Sequence, residues 1–164
     1  MEKEESKKHT DIINAVWEQF RRGERDALAG LFQLTSDRLF RYGSKFYSDE
    51  EIVKDCIQEL FIKIHQNREK MPALENPLFY LFKALKNILF DTIQQREKIV
   101  CFSPQEIPFR VEFEFAASEE EVDDEAKEQF EKVMSLLSDR QKEAIYLRYQ
   151  MEINSWKKQL PGLK

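Results

Sequence analysis

The sequence predicts an all-α protein, with a four-helix N-terminal domain, an acidic linker and a small helical C-terminal piece. Three observations predict it. Apolar residues recur at helical spacing through four long stretches before residue 98. Glycine (4) and proline (5) are scarce, which argues against a turn-rich all-β fold. Charged residues reach 35%, which favours exposed helices over a large sheet, and the apolar 41% includes thirteen phenylalanines for aromatic helical cores. A length of 164 residues accommodates one ordinary domain or two small ones.

Residues 1–10, M-E-K-E-E-S-K-K-H-T, are charged, lack an apolar signal region and read as a mobile tail. The N-terminal domain then spans residues 11–98. Its first helix is expected from about Asp11 to Arg22, with Ile12, Ile13, Val16, Trp17 and Phe20 on one face. Gly23 suits its end, because glycine accepts the left-handed conformation that closes a helix. A second helix runs from about Arg25 to Phe46, buried through Leu28, Leu31, Phe32, Leu39, Tyr42 and Phe46. Gly43 inside it weakens helix formation and blurs the C-terminal boundary.

The third helix opens at Ser48-Asp49-Glu50-Glu51, an S-x-x-E capping box, and continues to about Arg68. Ile52, Val53, Cys56, Ile57, Leu60 and Ile64 form its apolar face. A loop over residues 69–75 contains Met71-Pro72. Asn76-Pro77 sets an N-cap asparagine before a proline at the first helical position and starts a fourth helix to about Lys98. Leu78, Leu81, Phe82, Leu85, Ile88, Leu89 and Ile93 form its stripe.

Helical periodicity then stops. Residues 99–125 read as a linker; Phe109, Val111, Phe113 and Phe115 alternate with charges, which fits a short strand or, as expected here, an extended tether. Ser118 to Glu121 is a second S-x-x-E box, opening a helix to about Leu137. Ser138 to Gln141 is an S-x-x-Q box, opening another to about Tyr149. The C-terminal piece is thus expected over residues 126–164.

A net charge of −5 ordinarily opposes nucleic-acid binding, but its distribution matters more. Residues 101–131 hold eleven acids against two bases, a local charge of −9, which leaves the remainder at +4. That remainder is compatible with DNA contact. Cys56 lies on an apolar helical face and reads as a buried thiol; Cys101 is remote from it, so a reducing cytoplasm is the simplest compartment. No stretch approaches membrane-spanning length, so no membrane insertion is expected.

Two polar helix faces carry the candidate functional residues. On the third helix, Asp55, Gln58, Glu59 and Ile62 lie opposite the apolar face, as a solvated surface or a docking surface. On the fourth, Tyr80, Lys83, Asn87 and Gln94 lie opposite the stripe, with Lys86 and Arg96 nearby. Lysines neutralise phosphates, asparagine hydrogen-bonds a base, and an aromatic ring stacks on an unpaired base. The bland alternative is a wet basic face. His9 and His65 are the only histidines, and His65, near a helix end, reads as a surface or partly buried residue rather than a ligand. No phosphate loop, metal-ligand cluster or nucleophile elbow occurs, so no catalysis, metal or cofactor is expected.

Three blocks together resemble a known family. D-C-I-Q-E-L-F (Asp55 to Phe61) is similar to the second conserved region of bacterial sigma factors of the extracytoplasmic-function class. L-K-N-I-L-F-D-T-I-Q-Q-R-E-K (Leu85 to Lys98) resembles that family's promoter-melting, −10-reading helix. L-S-D-R-Q-K-E-A-I-Y-L-R-Y (Leu137 to Tyr149) resembles the opening of its −35-binding domain. The blocks occur in the family's order and cover roughly Gly23 to Tyr149, apart from the linker.

The resemblance implies a transcription initiation factor with core RNA polymerase, promoter DNA and an anti-sigma protein as partners. It implies that Asp55, Gln58, Glu59 and Ile62 dock on a clamp of the large polymerase subunit. Lys70, Asn76, Tyr80, Lys83, Lys86, Asn87 and Arg96 are the expected DNA-binding residues. The loop from Lys70 to Asn76 would receive a flipped base, and the acidic linker would thread toward the polymerase cleft, as an alternative to a plain solvated tether.

Two departures stand out. T-I-Q-Q-R-E-K carries one arginine where the family often carries several. After L-R-Y, Q-M-E-I-N-S-W-K-K-Q-L-P-G-L-K leaves no residues for a recognition helix, so the helix-turn-helix is expected to be partial, with little affinity for duplex −35 DNA. The alternative function is a sigma-like helical adaptor that binds polymerase or an anti-sigma protein without reading DNA.

Overall fold

Ile13, Trp17 and Phe20 recur at helical spacing and are fully buried, which fixes the inner face of the first helix, α1 (Glu2–Arg21). The computed structural model describes residues 2–98, 103, 104, 107–110 and 124–151. Over that range the helix begins at Glu2, so the segment expected as a tail is helical. Ile12, expected on the inner face, is half exposed. It lies about 100° around the helix from Ile13, outside a stripe that one aromatic row already fills. Gly23 closes the turn after α1 with φ of 83°, as expected for a left-handed cap.

The second helix, α2 (Ala27–Gly43), packs Leu31, Leu39 and Tyr42 inward. Its buried Thr35 returns its hydroxyl to Leu31 O at 2.8 Å, which satisfies that hydroxyl. Phe32 turns outward, yet its ring meets Phe61 edge-on at 5.0 Å. α2 stops at Gly43, earlier than the expected Phe46. A Cβ on Gly43 would lie 2.7 Å from Val53 Cγ1, so glycine there permits the close approach of the next helix.

That helix, α3 (Glu50–Gln66), buries all six apolar residues expected of it, and Phe61 in addition. Its N-cap is Asp49 rather than Ser48: Asp49 Oδ1 accepts from the N–H groups of Glu51 (3.1 Å) and Ile52 (3.3 Å). A carboxylate answers both the orphan donors and the positive helix end, whereas a serine hydroxyl answers only the donors. A short 3-10 turn (Arg68–Lys70) leads into the loop. The fourth helix, α4 (Pro77–Glu97), starts as expected: Asn76 Oδ1 accepts from Phe79 N–H at 3.0 Å, with Pro77 at the first position. Its whole predicted stripe is buried. It ends at Lys98 in the left-handed region, φ 50°.

These four helices form one bundle. α1 packs on α2 and α4, α2 on α3 and α4, and α3 on α4. Leu31, Leu39, Val53, Leu60, Leu81, Leu85 and Leu89 fill its centre. Among the described residues there is no strand, and no helix is long and apolar enough to cross a membrane.

The start of the linker is part of the core. Ile107 and Phe109 are buried, and Arg110 N–H donates to Lys45 O at 2.8 Å. Alternation with charges hid this packing, because period two reads as a strand or a tether and not as an anchor. Val111, Phe113, Phe115, Cys101 and the Ser118 box lie outside the described residues. Two further helices follow, α5 (Asp124–Ser135) and α6 (Asp139–Met151). The Ser138 box closes reciprocally: Ser138 N–H donates to Gln141 Oε1 at 2.9 Å and Gln141 N–H to Ser138 Oγ at 3.2 Å. The expectation of a missing recognition helix concerns residues outside those described.

Candidate nucleic-acid interface

The loop before α4 is held from beneath by α1. Trp17 Nε1 donates to Pro72 O at 3.2 Å, and Arg21 Nε donates to Met71 O at 2.9 Å. Arg21 also pairs with Glu18 at 2.8 Å, and Arg68 Nη1 donates back to Arg21 O at 3.2 Å. Backbone carbonyls that would wander in water are thereby fixed, and the loop conformation is set before any ligand arrives. Tyr80, one turn into α4, stands over the same place. Its ring lies 5.7 Å from that of Trp17 and its hydroxyl donates to Met71 Sδ at 3.7 Å.

Tyr80 lines a cleft of about 230 Å³ between α3 and α4. Asn87, two turns on, shares the cleft, and Lys63 and Asn67 of the opposite wall face them. Leu60, Ile64 and Ile88 make the remainder apolar. The volume falls short of the roughly 300 Å³ at which pockets begin to hold drug-sized ligands. An aromatic wall, two amides and a cationic rim suit one flat polar ring with a phosphate beside it.

The other expected DNA-binding residues lie outside the lining of this cleft. Lys83 is exposed on α4 between Tyr80 and Asn87. Lys70 is exposed at the end of the 3-10 turn, and Arg96 is exposed in the last turn of α4. Two of these residues are engaged within the protein. Asn76 is buried, and its side-chain oxygen serves the helix cap that the sequence predicts for it.

Lys86 is drawn away from solvent. Its Nζ lies 2.6 Å from Glu143 Oε2 of α6 and 5.3 Å from the centre of the Phe46 ring. Lys86 and Asn87 are consecutive and point about 100° apart, which sends one to α6 and the other into the cleft. The second Glu143 oxygen accepts from Tyr42 Oη at 2.7 Å. Burial, and then the neighbouring Glu143 carboxylate, push the Tyr42 hydroxyl far above the ordinary tyrosine range, so it stays a donor.

On the outer face of α3, Asp55, Gln58, Glu59 and Ile62 are all exposed, at positions i, i+3, i+4 and i+7 of one strip. Ile62 is 55% exposed, unusual for an isoleucine on a helix otherwise buried through its apolar residues. Glu59 pairs along the helix with Lys63 at 2.6 Å, so the cleft rim and this strip share one ion pair.

Sequence reasoning missed Trp17 and Arg21 as loop anchors, Lys63 and Asn67 as cleft walls, and Glu143 as the partner of Lys86. The i, i+4 spacing of Trp17 with Arg21, and of Lys63 with Asn67, places each pair on one face but does not name its partner. No local pattern marks Glu143, whose partners are 57 and 101 residues away. No family model, no curated protein and no solved structure matches the chain.

Proposed function

We propose that the chain is a transcription initiation factor of the extracytoplasmic-function sigma type, which binds core RNA polymerase and recognises and melts a −10 promoter element. The observation that carries the reading is the cleft beneath the anchored loop, where Tyr80 and Asn87 meet. An unpaired base stacks on Tyr80, Asn87 supplies an amide to its edge, and Lys83 neutralises an adjacent phosphate. The exposed α3 strip of Asp55, Gln58, Glu59 and Ile62 meets the polymerase. The chain binds in this reading, and the polymerase carries out the chemistry. Its place of action is the cytoplasm, with an anti-sigma protein as a regulating partner.

One observation favours a second reading, an adaptor that binds polymerase or an anti-sigma protein without reading DNA. Lys86 and Asn76, two of the expected DNA-binding residues, are engaged within the protein.

Binding of a fluorescent single-stranded oligonucleotide across a salt series separates the two. Lys83→Ala should lower the salt slope by about 0.7, the loss of one phosphate contact. Asn87→Ala should weaken binding with the slope unchanged. Indifference of both quantities to both substitutions would favour the adaptor.

A further inference from the structure

Glu143 of α6 caps Lys86 of α4. Its two oxygens take the Lys86 ammonium at 2.6 Å and the Tyr42 hydroxyl at 2.7 Å, and both side chains of the ion pair are only 12% exposed. The Tyr146 ring, one turn further along α6, stacks over Tyr42 at 6.2 Å and meets Phe109 edge-on at 5.6 Å. Phe109 meets Phe46 in turn at 5.0 Å. The end of α2, the middle of α4, the anchored part of the linker and α6 therefore converge on a single basic residue.

We propose that α6 is a reversible lid over Lys86, latched by Glu143, so that α6 and nucleic acid compete for that lysine. The proposal rests on the reading of α4 as a DNA-binding helix. Three features make the lid reversible. Its apolar hold consists of the half-buried Tyr146 and Leu147, while Ile145 beside them stays exposed. When α6 leaves, Glu143 and Lys86 return to water together, so neither charge is left buried and unpaired. Ile107 and Phe109 lie in the bundle core, which keeps the linker anchored while α6 swings. Nucleic acid offers Lys86 the same oxyanion chemistry and gains counterion release as well, so it displaces the carboxylate. A lid closed nine-tenths of the time weakens apparent affinity about tenfold.

The test uses the full chain, a fluorescent single-stranded oligonucleotide and amide exchange read along α6. Glu143→Gln should tighten oligonucleotide binding about tenfold and speed exchange over residues 139–148. Glu131→Gln removes an equally negative group from the exposed face of α5 and should change neither. In a Lys86→Ala background, Glu143→Gln should tighten binding much less than in the parent. Unchanged exchange in α6 on Glu143→Gln, with the helical circular dichroism intact, overturns the lid. So does an equal gain from Glu131→Gln, because the effect would then be bulk charge. If α6 is released but oligonucleotide affinity does not move, competition for Lys86 is overturned. Lys83→Ala then tells the two failures apart: weaker binding keeps the DNA-binding reading and sinks only the latch, and unchanged binding sinks both.

Discussion

Tyr42 shows how much one residue contributes here. It packs against Phe46 and Phe82 in the core, stacks under Tyr146, and donates to Glu143. Because its hydroxyl titrates far above the ordinary range, the folded protein keeps this proton where the unfolded chain loses it, above about pH 10. The unfolded state then binds fewer protons, so stability falls as pH rises past that point, while the contribution is fully present below it. Denaturant melts of Tyr42→Phe should show a decline above pH 10 that is shallower by up to about 1.4 kcal/mol per pH unit. Identical alkaline slopes in parent and variant would contradict the buried phenol. Gly43→Ala should cost about 1–3 kcal/mol through the clash with Val53, read as a lower denaturant midpoint. At this scale the sequence was legible where one residue acts on its own local backbone, through its conformation at Gly23 and its capping side chain at Asn76. It was illegible where distant partners decide, as at Lys86 and Glu143.

At the scale of elements, α3 and α4 were readable almost to the residue, because their apolar stripes are long and regular and both ends carry caps. The expected α3 start slipped by one residue, from Ser48 to Asp49, since two adjacent acceptors competed for the same donors. The start of the linker was the largest miss: Ile107 and Phe109 are buried by tertiary packing that no local period announces. The same α3 that was easiest to read carries the exposed strip assigned to polymerase. Gln58→Ala with Glu59→Lys should weaken binding to core polymerase at least tenfold. It should leave stability within about 0.5 kcal/mol, because the Glu59–Lys63 pair is half exposed. Affinity equal to the parent in a pull-down titration would remove α3 from the interface. Trp17→Phe keeps an aromatic ring but loses the indole N–H bond to Pro72 O, and should speed amide exchange in residues 71–75 while α3 keeps its protection.

At the scale of the molecule, the uneven charge organises the account. An acidic stretch from residue 101 to 131 offsets a remainder of +4, and Glu143 places one further carboxylate on the α4 surface. Helical periodicity made the two polar faces of α3 and α4 legible. Their relation in space was not legible, because the α3–α4 cleft and the α6 contact arise only when remote segments pack. Open-complex formation by bacterial core RNA polymerase supplied with this chain decides whether it acts as an initiation factor. The template is a pool of promoter fragments randomised across the −10 region, with unpaired thymines read by permanganate. The chain should select a defined −10 motif and open it, Tyr80→Ala with Asn87→Ala should abolish opening while polymerase stays bound, and Gln58→Ala with Glu59→Lys should weaken both polymerase binding and opening at least tenfold. Opening no greater than with core polymerase alone, across the whole pool, would contradict that role.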